Sequence, residues 1–444
     1  MKDRKPALLA LFIVLIIGAS YLYSAHLRSA DGLPDPQDID GYDLANVPPV
    51  ADSIRFAQKR IKENPPSVVN YTLLGDLYMR QARETGDING YLLAEQSLQK
   101  ALELLPSYAP ARTSLASVYY SQHEFEKTLE LAEQVYESNY KNEQARIMMA
   151  DAYLSLGDYQ KAEMIYDELE ESNPTPPLLA RIAYLEELKG NSDLALELIR
   201  RAARDTLKSG GTKENAAWYL LRVGDINFNM GNIKEAGEFY AASLRVFEKY
   251  PLALAGLGKV KAAEGNYDEA IEYYQQAVNI IPQPDFLAAL GDLYSITGQS
   301  QQAQIQYETV EAIGLLAATN QQVYNRQLAN FYSDHDMNLD RALDLSLAEL
   351  KSRHDIYGYD AAAWAYYKNG DYKNAQAMME RAMALGTRDA RLYYHAGMIA
   401  LALENETQAR EYLEQALEIN PNFSILFADD ARNTLSVLQS SAQK

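Results

Sequence analysis

Residues 265–282 read GNYDEAIEYYQQAVNIIP, and this stretch decides the fold. Gly265 suits the left-handed cap of a helix that ends before it, and Asn266 suits the N-cap of the helix that follows. Pro282 cannot continue that helix and closes it. Inside it, Ala270 is small where the helix first meets its neighbour, and Tyr274 follows one turn later. The pattern is that of a helical hairpin seen from its turn.

The same grammar recurs along the chain. Alanines equivalent to Ala270 stand at Ala94, Ala162, Ala195, Ala236, Ala303, Ala342, Ala375 and Ala409, with Thr128 filling the one gap, and most spacings are 33 or 34 residues. A second column lies in the preceding helix: Gly75, Ala116, Ala150, Ala183, Gly224, Gly258, Gly291, Ala329, Ala363 and Gly397. Two helices of a short hairpin cross closely only where bulky side chains are missing, so both columns mark the crossing. Tyrosines one turn beyond each column supply the large packing partners, which makes much of the count of 33 tyrosines structural.

These columns, with LGDLYMRQ at 74–81 and ENETQAREYLEQALEINP at 404–421, resemble tetratricopeptide repeats, whose period is about 34 residues. The resemblance runs from about Ser67 to Asn422 and extends to a group of bacterial membrane-anchored repeat proteins of unassigned role. It implies an all-α fold, an α-solenoid superhelix of about ten hairpins with an N-terminal transmembrane or signal-anchor helix. It also implies binding of protein or peptide partners in the concave groove.

The expected organisation is a signal anchor at 1–25, an extended linker at 26–50 and a capping helix at 51–66. Hairpins one to four then fill 67–202, a loop at 203–215 acts as a hinge, hairpins five to ten fill 216–422, and a helix with a tail at 423–444 covers the back. Lys2, Arg4 and Lys5 precede the uncharged run Ala7–Tyr23, so the N-terminus is expected in the cytoplasm and the array outside it, with the anchor uncleaved. A cleaved signal would export the chain as well. The acid- and proline-rich 26–49 reads as a solvated tether.

A formal net charge of −20 repels phosphate backbones, which disfavours nucleic acid. Cysteine is absent, so disulfides, thiolate nucleophiles and Cys-ligated zinc are excluded. The five histidines form no HExxH pair and no phosphate-binding loop occurs, so no metal, no cofactor and no enzyme activity is expected. Asp334, Asp336, Asn338 and Asp340 alternate, but Leu339 stands where a calcium loop needs glycine, which favours a solvated turn.

Side chains flanking the small column of the first helices are expected to face the groove. The candidate binding residues are Trp218, Asp225, Phe228, Arg326, Asn330, Trp364, Tyr367, Arg391, Tyr394 and His395, aromatic and arginine anchors foremost. The two tryptophans read equally well as binding anchors or as packing against the next hairpin. Some tetratricopeptide domains grip a chaperone C-terminal carboxylate with basic and amide side chains of three hairpins. The matching places here hold Arg326 and Asn330, then Ala361, then Arg391 and His395. The other reading of the groove is a glycan or small-ligand site built on its aromatics.

Overall fold

The computed structural model describes residues 36–45, 47–171, 174–319 and 325–441. The expected anchor at 1–25 lies outside them; among the described residues no helix is long and apolar enough to cross a membrane. Ten hairpins occupy 68–104, 109–138, 143–170, 176–208, 213–246, 251–280, 284–319, 325–349, 356–382 and 390–419, and are numbered 1 to 10 here. A lone helix, Val50–Glu63, precedes them and another, Ala428–Ser441, follows. The described part is an all-α solenoid.

The small-residue column works by exclusion. A Cβ on Gly224, Gly258 or Gly75 would lie 2.6 Å from Tyr240, Tyr274 or Leu98, the large residue that the second helix of the same hairpin pushes into the gap. Each turn inside a hairpin then carries a residue at positive φ, Gly86, His123, Gly157, Gly190, Gly231, Gly265, Gly298, Asp336, Gly370 and Glu404 in order, with Asn338 a second one in hairpin 8. This left-handed residue ends the first helix and aims the chain at the second. Three of the ten are not glycine, which hid the column in the sequence.

Beyond the hairpin, the solenoid coils back on itself with five hairpins per turn. The inner turns of hairpins 1, 3, 4 and 5 each meet the far end of the hairpin five places later. The His354 amide donates to the Ser155 carbonyl at 3.1 Å, tying hairpin 3 to the end of hairpin 8. Thr387 donates to the Leu188 carbonyl, tying hairpin 4 to the end of hairpin 9. Asn420 donates to the Phe228 carbonyl at 2.7 Å, tying hairpin 5 to the end of hairpin 10. Gly86 of hairpin 1 abuts Ile281 at the end of hairpin 6 in the same register. Ile356 and Leu392 of the second turn share one apolar core with Leu154, Leu179 and Leu188 of the first.

Three expectations on organisation need correction. The hinge expected at 203–215 shrinks to 209–212, because one helix runs to Lys208 and the next begins at Lys213, with buried Ala203, Leu207, Ala216 and Ala217 in a continuous core. The tether is not solvated throughout: Pro36–Gly41 forms a 3-10 helix, Ile39 is 2% exposed, and Ala45 bridges in parallel to Thr212, its amide 3.0 Å from the Gly211 carbonyl. Its apolar Ile39, Tyr42 and Leu44 sit on the core between hairpins 4 and 5. Finally, the closing helix starts at Ala428 rather than at 423, and 422–427 run as a strap along the inside of the coil.

Candidate functional site

The inside of the coil is built from the first helices of the hairpins, and it is charged. Next after the small column, Asp151, Asp225 and Asp292 project inward. Each is fastened by a tyrosine from the second helix of its own hairpin: Tyr166 at 2.5 Å, Tyr240 at 2.9 Å and Tyr307 at 2.8 Å. Arginines of neighbouring positions complete the pairing. Arg181 sits 2.8 Å from Asp151, and Arg222 joins Asp225 to Glu187, 2.9 Å from each. Buried charges need such partners, and removing one partner alone costs several kcal/mol, about 3–5.

Asp334 shows why the alternating acids of hairpin 8 are no calcium loop. Its carboxylate accepts two bonds from Arg391, at 2.9 and 2.8 Å, and one from the Trp364 indole at 2.9 Å. Asp336 pairs with Lys368 at 2.7 Å, while Asn338 takes a left-handed conformation at the start of the next helix. Among the described residues no group of three or more His, Asp or Glu is placed to hold a metal.

The ten candidate residues scatter over different environments. Trp364 is 1% exposed, with Tyr367 stacked on one side at 4.7 Å and His395 on the other at 4.1 Å, so its ring faces are taken and it serves packing instead of binding. His395 is fully buried and its Nδ1 lies 2.8 Å from Asp360. Tyr394 is buried, stacks on Phe427 at 5.0 Å, and donates to Asp430 of the closing helix at 2.8 Å. Arg326 faces Asp355 at 3.4 Å. The residues expected to converge as a carboxylate grip are therefore divided: Asn330 and Arg391 line one cavity, whereas His395 is sealed behind Trp364. Trp218 alone of the tryptophans reaches solvent, packed edge-on to Tyr219 at 5.1 Å.

That cavity, of about 430 Å³, opens among hairpins 5 to 8 and 10. Leu221, Asp225, Phe228 and Leu252 line one side; Phe286, Asp292, Asn330, Asp334, His335 and Arg391 line the other; Phe423, Ser424 and Ile425 of the strap lie across it. Of this lining Asp225, Phe228, Asn330 and Arg391 were legible in the sequence, and the strap was not, because residues that follow the last repeat carry no periodic signal.

Two histidines titrate in opposite senses. Burial drives the pKa of His123 down to about 4, helped by the charges of Arg353 and Arg326 across the seam between coil turns. Burial also opposes protonation of His335, but the hydrogen bond and charge of Asp292, 2.6 Å away, and the Phe331 carbonyl outweigh it and raise the pKa.

Tetratricopeptide-repeat models match 120–183, 251–284, 357–385 and 390–423, and the last three ranges coincide with hairpins 6, 9 and 10. The chain is a tetratricopeptide-repeat protein. It is 26% identical over 223 residues to human protein O-mannosyl-transferase TMTC1, covering 47% of this chain and 24% of that protein. It is 22% identical over 323 residues to the bovine BBSome complex member BBS4, covering 70% of this chain and 59% of that one. The TPR repeat-containing protein MJ1428 of Methanocaldococcus jannaschii is 25% identical over 239 residues, 48% of this chain and 40% of that one. The tetratricopeptide chain thus spans less than two thirds of each of these relatives. Among solved structures it is similar to the human IFIT1 dimer with PPP-AAAA (TM-score 0.49, 16% identity, 76% of this chain and 77% of that one). It is also similar to PilW, a type IV pilus biogenesis factor (TM-score 0.39, 19% identity, 46% of this chain and 93% of that one).

Proposed function

We propose that this protein is a non-enzymatic scaffold that binds partner proteins or peptides, held at a membrane by 1–25 with its array outside the cytoplasm. Repeats of this family stack into surfaces for partners, which supports the first half. The basic residues ahead of the apolar run Ala7–Tyr23 support the second.

One contrast carries the reading. The front end exposes Phe56, Val69, Leu73, Leu92, Leu93 and Leu104, with Val69 61% exposed, and hairpin 7 exposes Ile296, Ile305, Leu315 and Leu316, whereas hairpin 6 between them exposes no large apolar side chain. Apolar side chains that a repeat leaves in water, where sister repeats bury theirs, are candidates for a partner interface. The inner wall contributes in another way: with the coil closed turn on turn, a folded partner docks on the outside or the ends, and only an extended segment enters the lumen.

Crosslinking with mass spectrometry from native membranes tests this. A partner is expected with the wild type and is expected to be lost with Leu93→Asp plus Leu104→Asp, while Trp218→Ala reports on the coil interior. A partner set that survives the double substitution sinks the front-end surface. For the anchor, alkaline extraction should leave the protein in the membrane pellet, and added protease should reach the array only from the extracytoplasmic side; recovery in the soluble fraction overturns it.

A further inference from the structure

Lys259 departs from a pattern that the other three hairpins with a tyrosine at this place share. In hairpins 3, 5 and 7 the residue after the small column is an aspartate that its own tyrosine fastens, as Asp151, Asp225 and Asp292 show. In hairpin 6 the tyrosine is present, Tyr274, but Lys259 stands where the aspartate belongs. Tyr274 makes no hydrogen bond through its hydroxyl, and the Lys259 ammonium pairs with no carboxylate; it lies 5.0 Å over the Phe228 ring. Asp285, in the first turn of the next hairpin, makes neither a direct ion pair nor a side-chain hydrogen bond among the described residues; like Lys259 it is exposed to the water of the cavity, and it lies within the field of Arg326, Arg391 and Lys259. Lys259, Tyr274 and Asp285 border the same 430 Å³ cavity.

A departure from an otherwise consistent local rule marks a position shaped for something other than folding. Here it leaves one cation, one hydroxyl and one anion without a direct ion pair or hydrogen bond among the described residues, set in a space within the range of small-molecule sites and walled by Phe228, Leu252 and Phe286. We infer that the cavity binds a small zwitterion, a free amino acid or a short peptide with free termini. Its ammonium meets Asp285, its carboxylate meets Lys259 with Tyr274 donating, and its apolar body lies against the phenylalanines. A purely anionic ligand would face Asp225, Asp292 and Asp334, and a purely cationic one would leave Lys259 alone; only a ligand with both charges satisfies both ends. This goes beyond the scaffold reading and does not depend on it, since the site lies inside the coil and the proposed partner surface at its front end.

The test is a titration of the full chain with leucine, leucyl-leucine and trileucine, and with the N-acetyl and C-terminal amide forms of leucyl-leucine, read by calorimetry and thermal shift. At least one free zwitterion is expected to bind, with each capped form weakened tenfold or more. Lys259→Met is expected to weaken the free peptide tenfold or more while leaving the amide form little changed, and Asp285→Asn to do the same for the acetylated form. Neither side chain makes a direct ion pair, so the variants should melt close to the wild type in the absence of ligand, Lys259→Met giving up its contact over the Phe228 ring and Asp285→Asn a first-turn charge at its helix N-terminus. No binding by any of the three zwitterions at millimolar concentration, or capped forms binding as well as free ones, overturns the inference. So does binding restricted to long extended peptides.

Discussion

The inner turns of hairpins 3, 4 and 5 and those of hairpins 6, 7 and 9 have the same local conformation and opposite surroundings. Gly157, Gly190 and Gly231 have φ of 79, 78 and 81°, and Gly265, Gly298 and Gly370 have 80, 78 and 79°. A Cβ on Gly157 would lie 2.6 Å from the His354 carbonyl oxygen, and one on Gly231 3.0 Å from that of Ile419; Gly190 is pressed against the Gly386 carbonyl. A Cβ on Gly265, Gly298 or Gly370 would meet nothing within 4 Å. The first set therefore answers to two demands, a left-handed cap and a backbone packed against the next turn of the coil. The second answers to the cap alone.

Substitution separates the two demands. Gly190→Ala should cost about 4 kcal/mol, the left-handed penalty added to overpacking against backbone, whereas Gly370→Ala should cost only about 1 kcal/mol. Equal losses in denaturant unfolding would mean that the two turns of the coil do not touch. Acid attacks the same seam through His123. Its folded pKa of about 4 lies below that of the unfolded chain, so the unfolded state binds more protons between pH 6.5 and 4. Stability should fall by about 3 kcal/mol across that window as pH drops. His123→Asn, which suits positive φ, should flatten the slope; an unchanged slope removes His123 as its source. His335, away from the seam, has the opposite sign. Its raised pKa makes a contribution that is complete below the unfolded value and disappears as pH rises through the folded one, and His335→Gln should abolish that alkaline loss.

Smaller effects follow in order. Asn420→Ala removes the bond between coil turns to the Phe228 carbonyl, which keeps the Gly231 amide, and also the acceptor of the Asn422 amide; it should lower stability by about 2 kcal/mol, against about 1 kcal/mol for Asn405→Ala, which removes only a helix N-cap. Glu404→Gly at a left-handed position should instead raise stability by about 1 kcal/mol; a fall in melting temperature would contradict the cap assignment.

Local demands were legible in the sequence and distant ones were not. Crossing points leave glycine and alanine at fixed spacing, so the ten hairpins could be read directly, whereas the turns at His123, Asp336 and Glu404 carried no glycine to mark them. The seam joins Ser155 to His354 and Phe228 to Asn420 through backbone carbonyls, groups that every residue has, and so it writes no residue pattern. The loop expected at 203–215 failed for a related reason: helices were extended by tertiary packing of Ala203, Leu207, Ala216 and Ala217 into a stretch rich in turn-forming residues. At the cavity, Asp225 and Asn330 were legible because they follow the small column. Trp364 had the same credentials, but its faces were claimed by Tyr367, one turn along the same helix, and by His395 of the next hairpin. Lys259 follows Gly258 of the small column; what it replaces became visible only with the tyrosine–aspartate latches of its sister hairpins.

The clasp of 36–45 gives the coil a load path. Arg245 donates to the Pro36 carbonyl and Ala45 lies along Thr212, so the chain ahead of the lone helix is gripped at the boundary of hairpins 4 and 5, midway along the array. A pull applied at Pro36 enters the body there, beside the seam, and reaches hairpins 1 to 3 only after the clasp has peeled. Until then the protein behaves as a spring held at its middle coil, whose front end carries no tension and keeps its shape.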